Sequence, residues 1–257
     1  MIPLQERLIG LRDGGRKLFV PYVTAGLPSE VEFAALLGGL AEHADAIEVG
    51  IPFSDPMMDG PVIQESSRRA IEVGVTARST FELLATLDVP VPVVVMTYVN
   101  IVDAFGADEF ISAMTACAVQ GAIIPDLPLE ASGRLCADMA DAGLGLVQMV
   151  APSTSAGRAG QIAHSSRGFV YAVSRMGITG LRTSLSDEAK AVVEKIRPHT
   201  SLPVLLGIGI SDGPQAREAA SIADGVVVGS ALVRRVLDGD VAGALTLAGE
   251  IRAALER

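Results

Sequence analysis

Cysteine is scarce here: only Cys117 and Cys136 occur in 257 residues. Both fall in stretches patterned as helices, and neither has metal-ligand spacing. A disulfide framework and a thiolate metal site are thereby excluded, and a reduced, cytoplasmic protein is expected. Long apolar runs are also missing, since none approaches the ~18 residues that a membrane-spanning helix needs. Residues 1–13 are interrupted by polar side chains and read as an amphipathic helix rather than a signal peptide. No linker or low-complexity stretch divides the chain, so residues 1–257 are expected to form one domain. Positive charge is in deficit, with 20 Lys and Arg against 30 Asp and Glu and a net charge of −10. That balance disfavours a nucleic-acid partner. An anionic ligand would therefore need a local positive potential that the chain as a whole does not supply.

Apolar residues, by contrast, make up 49% of the chain, enough for a sizeable core. Short runs rich in Val and Ile recur at 18–25, 46–51, 91–98, 122–127, 145–151, 169–174, 204–210 and 225–229. Continuous apolar runs of this length suit parallel strands buried on both faces. Amphipathic segments lie between them. Ser29 and Glu32 read as a capping box before a helix over 33–40. Pro61 stands where a first helical turn tolerates it, ahead of 63–73. Helical spacing also marks 108–119, 186–196 and 241–255. Eight such alternations predict an α/β protein, a (β/α)8 TIM barrel with an extra N-terminal helix, more than an open doubly wound sheet. In such barrels the chemistry sits at the C-terminal ends of the strands.

Glu48 interrupts the second strand between Ile47 and Val49. A carboxylate there is costly unless it is paired, protonated or facing an active site. A buried Arg or a backbone amide could satisfy it structurally; a catalytic role is the favoured reading. The loop that follows, 52–61, carries three prolines, a glycine and the aspartates Asp55 and Asp59. Asp55 could make a local turn before Pro56. Asp59 could serve the dipole of the next helix.

Glycines mark three late strand ends: Gly177 and Gly180, then Gly207 and Gly209, then Gly229 before Ser230. Singly these are turn signals. Together they fit the phosphate site that barrels often build after strands seven and eight. Ser230 opens a helical run whose backbone amides could face an anion without any Lys or Arg in the glycine segments. Aromatics form only 4% of the chain, yet Tyr22, Tyr98 and Tyr171 all fall at strand ends. Ordinary packing at the barrel mouth would account for them.

The run IEVGIPFSDPMMDGPVIQ, together with FVYAVSRMGITG and IIPDLPLE, resembles the tryptophan synthase α-subunit family, and the likeness covers most of 19–236. The resemblance implies retro-aldol cleavage of indole-3-glycerol phosphate. Glu48 and Asp59 match the family's two catalytic carboxylates: Glu48 as general acid at indole C3 and base for the 3′-hydroxyl, Asp59 as the ionised acceptor of the indole N–H. Burial should then raise the Glu48 pKa while a wetter loop keeps Asp59 ionised. Gly180, Gly209, Gly229 and Ser230 match phosphate ligands, and Tyr22, Tyr98 and Tyr171 match walls of the indole pocket. Arg175 and Thr179 match a closing loop in which Thr179 would bond to Asp59. Asp55 matches a surface facing a β subunit, and Asp126 a structural aspartate near that interface. The family implies an α2β2 assembly, with pyridoxal phosphate in the β subunit and no metal or cofactor in this chain. Two departures stand out. Met57-Met58 replaces a smaller pair, and Glu42-His43-Ala44-Asp45 is one residue short of the usual turn, with His43 read as a helix C-terminal residue. A stand-alone lyase releasing free indole would share these motifs. A catalytically weak allosteric barrel is disfavoured by the intact carboxylates, and another phosphate-binding barrel, such as an isomerase, by the full carboxylate loop.

Overall fold

The structure is a computed structural model that describes residues 3–173, 187–207 and 209–256. Eight parallel strands close on themselves in sequence order. They are β1 (Leu18–Thr24), β2 (Ile47–Gly50), β3 (Val93–Met96), β4 (Val119–Ile123), β5 (Gly145–Val150), β6 (Val170–Val173), β7 (Val204–Gly207) and β8 (Gly225–Val228). Closure is made by β1 against β8, with Leu18 beside Gly225 and Pro21 beside Val228. Among the described residues the helices are α1 (Pro3–Asp13), α2 (Glu30–Ala41), α3 (Pro61–Glu72), α4 (Ala77–Ala85), α5 (Val99–Phe105), α6 (Ala107–Ala116), α7 (Leu129–Asp141), α8 (Ala156–Ser165), α9 (Asp187–Ile196), α10 (Gly213–Ile222), α11 (Ser230–Leu237) and α12 (Val241–Leu255). The expected alternation and the extra N-terminal helix are both present.

Strand side chains alternate between two apolar layers, as a period of two dictates. Leu18, Val20, Ala46, Val94, Ile123, Val147, Phe169, Leu205 and Val227 fill the barrel interior. Their neighbours, such as Phe19, Ile47, Val95, Leu146 and Leu206, pack outward against the helices with Phe33, Leu36 and Phe110. Full burial of one such side chain contributes roughly 1.5–3 kcal/mol. Helix α1 plugs the lower end, placing Leu4 and Leu8, both fully buried, against the interior layer. Gly168 makes room for this plug. Its φ of +95° disfavours any side chain, and a Cβ there would stand 2.6 Å from Leu4 Cδ2.

The same end is tied by one buried carboxylate. Asp45 Oδ2 accepts from the Phe19 N–H at 2.8 Å and from Arg252 Nη1 at 3.0 Å, while Oδ1 accepts from Arg16 Nε at 2.6 Å. Arg252 Nη2 donates to the Lys17 carbonyl at 2.8 Å, so α12 is fastened to the start of β1. His43 lies just beyond the C-cap of α2 and packs towards Gly249 of α12.

Two elements and one cap differ most from the sequence reading. The fourth strand is Val119–Ile123 rather than 122–127, and the preceding helix ends at Ala116 rather than 119. Gln120 and Gly121 hid the strand's start from an apolar-run criterion. Ala118, at φ 57°, turns the chain out of the helix, and Pro125 and Pro128 cannot donate to a ladder. At α2 the Glu32 N–H donates to Ser29 Oγ at 3.3 Å, as a cap should. The other half of the box is replaced by a bond from the Ser29 hydroxyl to Glu32 Oε2 at 2.7 Å.

Candidate active site

The upper ends of the strands surround a cavity of about 680 Å³, lined among others by Tyr22, Glu48, Asp59, Tyr171, Gly209, Gly229 and Ser230. This lies within the ~300–1,000 Å³ usual for small-molecule sites. Seven residues separated by up to 208 positions in sequence thus face one space.

Glu48 reaches it because β2 points every second side chain inward. Its Cα is paired with Tyr22 on one side and Val94 on the other. Glu48 is 2% exposed, and its Oε2 has no hydrogen-bond partner among the described residues. Burial, and then the negative charge of Asp59, push its pKa up to about 8. At neutral pH this group is mostly protonated, a carboxylic acid rather than a carboxylate.

Asp59 comes from the excursion between β2 and α3. The loop is held internally: the Met57 N–H donates to the Asp55 carbonyl at 2.8 Å and the Asp59 N–H to the Pro56 carbonyl at 3.0 Å. Gln64 Nε2 bonds back to the Asp59 carbonyl at 2.8 Å. The Asp59 carboxylate accepts from the Tyr98 hydroxyl at 2.9 Å, while that hydroxyl accepts from the Met58 N–H at 3.1 Å. The Tyr98 ring stacks on Phe53, with centroids 4.9 Å apart. Burial raises the Asp59 pKa to about 6 and the Tyr98 bond opposes the rise. The loop is therefore drier than the sequence suggested, yet Asp59 still titrates below Glu48.

Tyr22 and Tyr171 stand inside the barrel mouth, where strand glycines admit them. A Cβ on Gly50 would overlap the Tyr22 hydroxyl, and one on Gly207 would meet the Tyr171 ring, with Cζ at 2.7 Å. Burial keeps both phenols protonated far above neutral pH. Tyr98, by contrast, is not among the residues that line the cavity; it acts on Asp59 directly, a bond that sequence spacing could not reveal.

At the far side of the cavity, α11 begins at Ser230 behind Gly229, with no side chain capping its first amides. Ser29, Thr76, Ser155, Asp212 and Asp240 cap α2, α4, α8, α10 and α12, whereas α3, α5, α6 and α7 share the uncapped start of α11, which alone among these follows Gly229 at the cavity. Unfilled N–H groups at a helix start suit an anion. Arg175, Thr179 and Gly180 lie outside the described residues. Asp55 is exposed, accepting from the Ser54 hydroxyl at 2.6 Å, and Met57 and Met58 beside it are 81% and 62% exposed. Asp126 accepts from the Val99 N–H at 2.9 Å and so anchors the start of α5. Arg158 was not anticipated. It reaches the cavity rim from α8, where no local motif distinguishes it, and is paired with Glu130, Nη2 to Oε2 at 2.9 Å. Among the described residues no group of His, Cys, Asp and Glu could hold a metal ion, and no helix is long and apolar enough to cross a membrane. Cys117 and Cys136 are free thiols.

Residues 9–250 match the sequence profile of the family described as Tryptophan synthase alpha chain. The tryptophan synthase alpha chain of Synechococcus elongatus is 39% identical over 100% of this chain and 98% of its own length. That of Laribacter hongkongensis is 42% identical over 91% and 90%. Among solved structures, Mycobacterium tuberculosis tryptophan synthase superposes with a TM-score of 0.91 at 34% identity, covering 100% of this chain and 99% of that one. Tryptophan synthase subunit alpha from Legionella pneumophila gives 0.90 at 30% identity, covering 100% and 99%. Sequence and fold agree along the whole barrel: the chain belongs to the tryptophan synthase alpha chain family.

Proposed function

We infer that this protein cleaves indole-3-glycerol phosphate to indole and glyceraldehyde 3-phosphate, as the α subunit of a tryptophan synthase. The observation that carries the site assignment is the pairing of a protonated, buried Glu48 with a more acidic Asp59 in one cavity. Indole is a poor leaving group until its C3 is protonated. Glu48 delivers its proton to C3, and Asp59, ionised, accepts from the indole N–H and balances the positive charge of the indolenine. The Glu48 carboxylate then takes the 3′-hydroxyl proton, the C3–C3′ bond breaks, and its electron pair returns to the indole ring as the aldehyde forms. The proton count closes, with Glu48 ending as it began. Help of this kind contributes typically ~100- to 10,000-fold. Tyr22 and Tyr171 frame the indole, and Tyr98 holds Asp59. Gly209, Gly229 and Ser230, with Gly180, hold the phosphate by amides and a helix dipole. Arg175 and Thr179 belong to the loop that closes over the site.

The chain acts as a single barrel domain in the cytoplasm, without a cofactor of its own. Its partner is a β subunit that carries pyridoxal phosphate, in an α2β2 assembly. Exposed Asp55, Met57 and Met58 support a contact surface on the carboxylate loop. The curated relatives are α chains, and the stand-alone lyase is not favoured. The test is a titration of indole release against β-subunit concentration. Activation is expected, since a partner that prefers the closed form shifts the population by its differential affinity. Asp55→Ala should weaken activation more than basal turnover. A flat wild-type curve with a high basal rate would reject the subunit reading.

A further inference from the structure

Among the described residues the catalytic cavity offers little positive charge to a dianion. Its described lining includes the acids Glu48, Asp59 and Asp126 and a single cation, Arg158, which is already paired with Glu130. The chain carries a net charge of −10. Yet the phosphate end adjoins a second hollow of about 370 Å³, lined by Ser211, Ala231, Arg234, Arg235, Asp238 and Asp240. Ser211 follows Ile210 and Ala231 follows Ser230, and both preceding residues line the catalytic cavity.

The charges in this hollow are sorted along α11. Arg234 is four residues after Ser230 and so shares its face, and helical side chains lean towards the N-terminus of their helix. Its Cα therefore lies about one helical turn, roughly 6 Å along the axis, from Ser230. Asp238 and Asp240 lie beyond the C-terminal end of the helix, where Arg235 Nη1 is held by Asp240 Oδ2 at 3.3 Å. Arg234 is exposed and has no ion pair or side-chain hydrogen bond among the described residues. We propose that Arg234 is a positioning residue that attracts the substrate's phosphate towards the Gly229–Ser230 amides from outside the cradle, without touching the reacting atoms. This rests on reading that end of the cavity as the phosphate site.

A charge acting at this range lowers the free energy of bound substrate and transition state alike, so it should move KM and not kcat. It should also be screened by salt. The experiment measures indole release from indole-3-glycerol phosphate, and its inhibition by glycerol 3-phosphate, at ionic strengths from about 0.01 M to about 0.3 M. Arg234→Gln should raise KM and the inhibition constant about two- to sixfold at low salt, with kcat held and the gap closing as salt rises. Arg234→Lys should restore the wild-type salt curve, and Arg235→Gln should leave it unchanged. Superimposable curves for wild type and Arg234→Gln, a loss confined to kcat, or an equal effect of Arg235→Gln would each overturn the proposal. Failure of glycerol 3-phosphate to inhibit the wild type would instead reject the phosphate-site reading on which it rests.

Discussion

The Tyr98 hydroxyl donates to Asp59 at 2.9 Å while accepting from the Met58 N–H at 3.1 Å, so one phenol fixes both the position and the charge of the loop carboxylate. Its bond favours ionised Asp59 and opposes the effect of burial. With Asp59 required as the anion and Glu48 as the acid, the rate of indole release should be bell-shaped, with limbs near about 6 and about 8. Tyr98→Phe should move the acid limb upward and leave the alkaline limb in place. A bond to a charged group is worth roughly 1.5–3 kcal/mol, or about one to two pKa units, so turnover near pH 7 should fall about two- to fifteenfold. An unshifted acid limb in this variant would remove Tyr98 from the control of Asp59.

Burying Glu48 should also weaken the fold in a pH-dependent way. Its folded pKa of about 8 lies above the ~4.3 of an unfolded glutamate, so between these values the folded state holds more protons than the unfolded one. Stability therefore falls as pH rises through that window and levels off above it. Glu48→Gln should match the wild type at pH 4 and exceed it at pH 9 by up to a few kcal/mol. Urea melts at the two pH values measure this, and equal differences at both would show that Glu48 is not held as the acid.

Strand glycines make room for the two tyrosines inside the mouth. Gly207→Ala places a methyl group against the Tyr171 ring, and Gly50→Ala does the same to the Tyr22 hydroxyl. Each should cost about 1–3 kcal/mol by overpacking and lower kcat/KM. Combining Gly207→Ala with Tyr171→Leu should recover part of the stability. Unchanged melting of both single variants would show that the rings have space to move.

Most of the barrel was legible because buried parallel strands leave continuous apolar runs, and Glu48 was legible because it breaks one of them. The fourth strand was displaced because Gln120 and Gly121 interrupt its run while Pro125 lies within the stretch that resembled a strand. The Tyr98–Asp59 bond spans 39 positions and the Asp45–Arg252 bond 207. No local pattern encodes such pairings; only closure of the barrel brings them together. The same holds for Arg158 and Arg234, whose meaning depends on which cavity their helix borders. The drier setting of Asp59 likewise comes from a loop folding onto Tyr98 and Phe53, not from the loop's own composition.

The most direct measurement is indole release from indole-3-glycerol phosphate by the wild type, Glu48→Gln and Asp59→Asn, with glycerol 3-phosphate binding followed in parallel. Both substitutions keep side-chain shape while removing, respectively, the transferable proton and the balancing charge. The account predicts wild-type turnover, a loss of at least ~100-fold in each variant, and unchanged binding of the phosphate probe. Near-normal turnover by Glu48→Gln, or no indole release by the wild type, would contradict it.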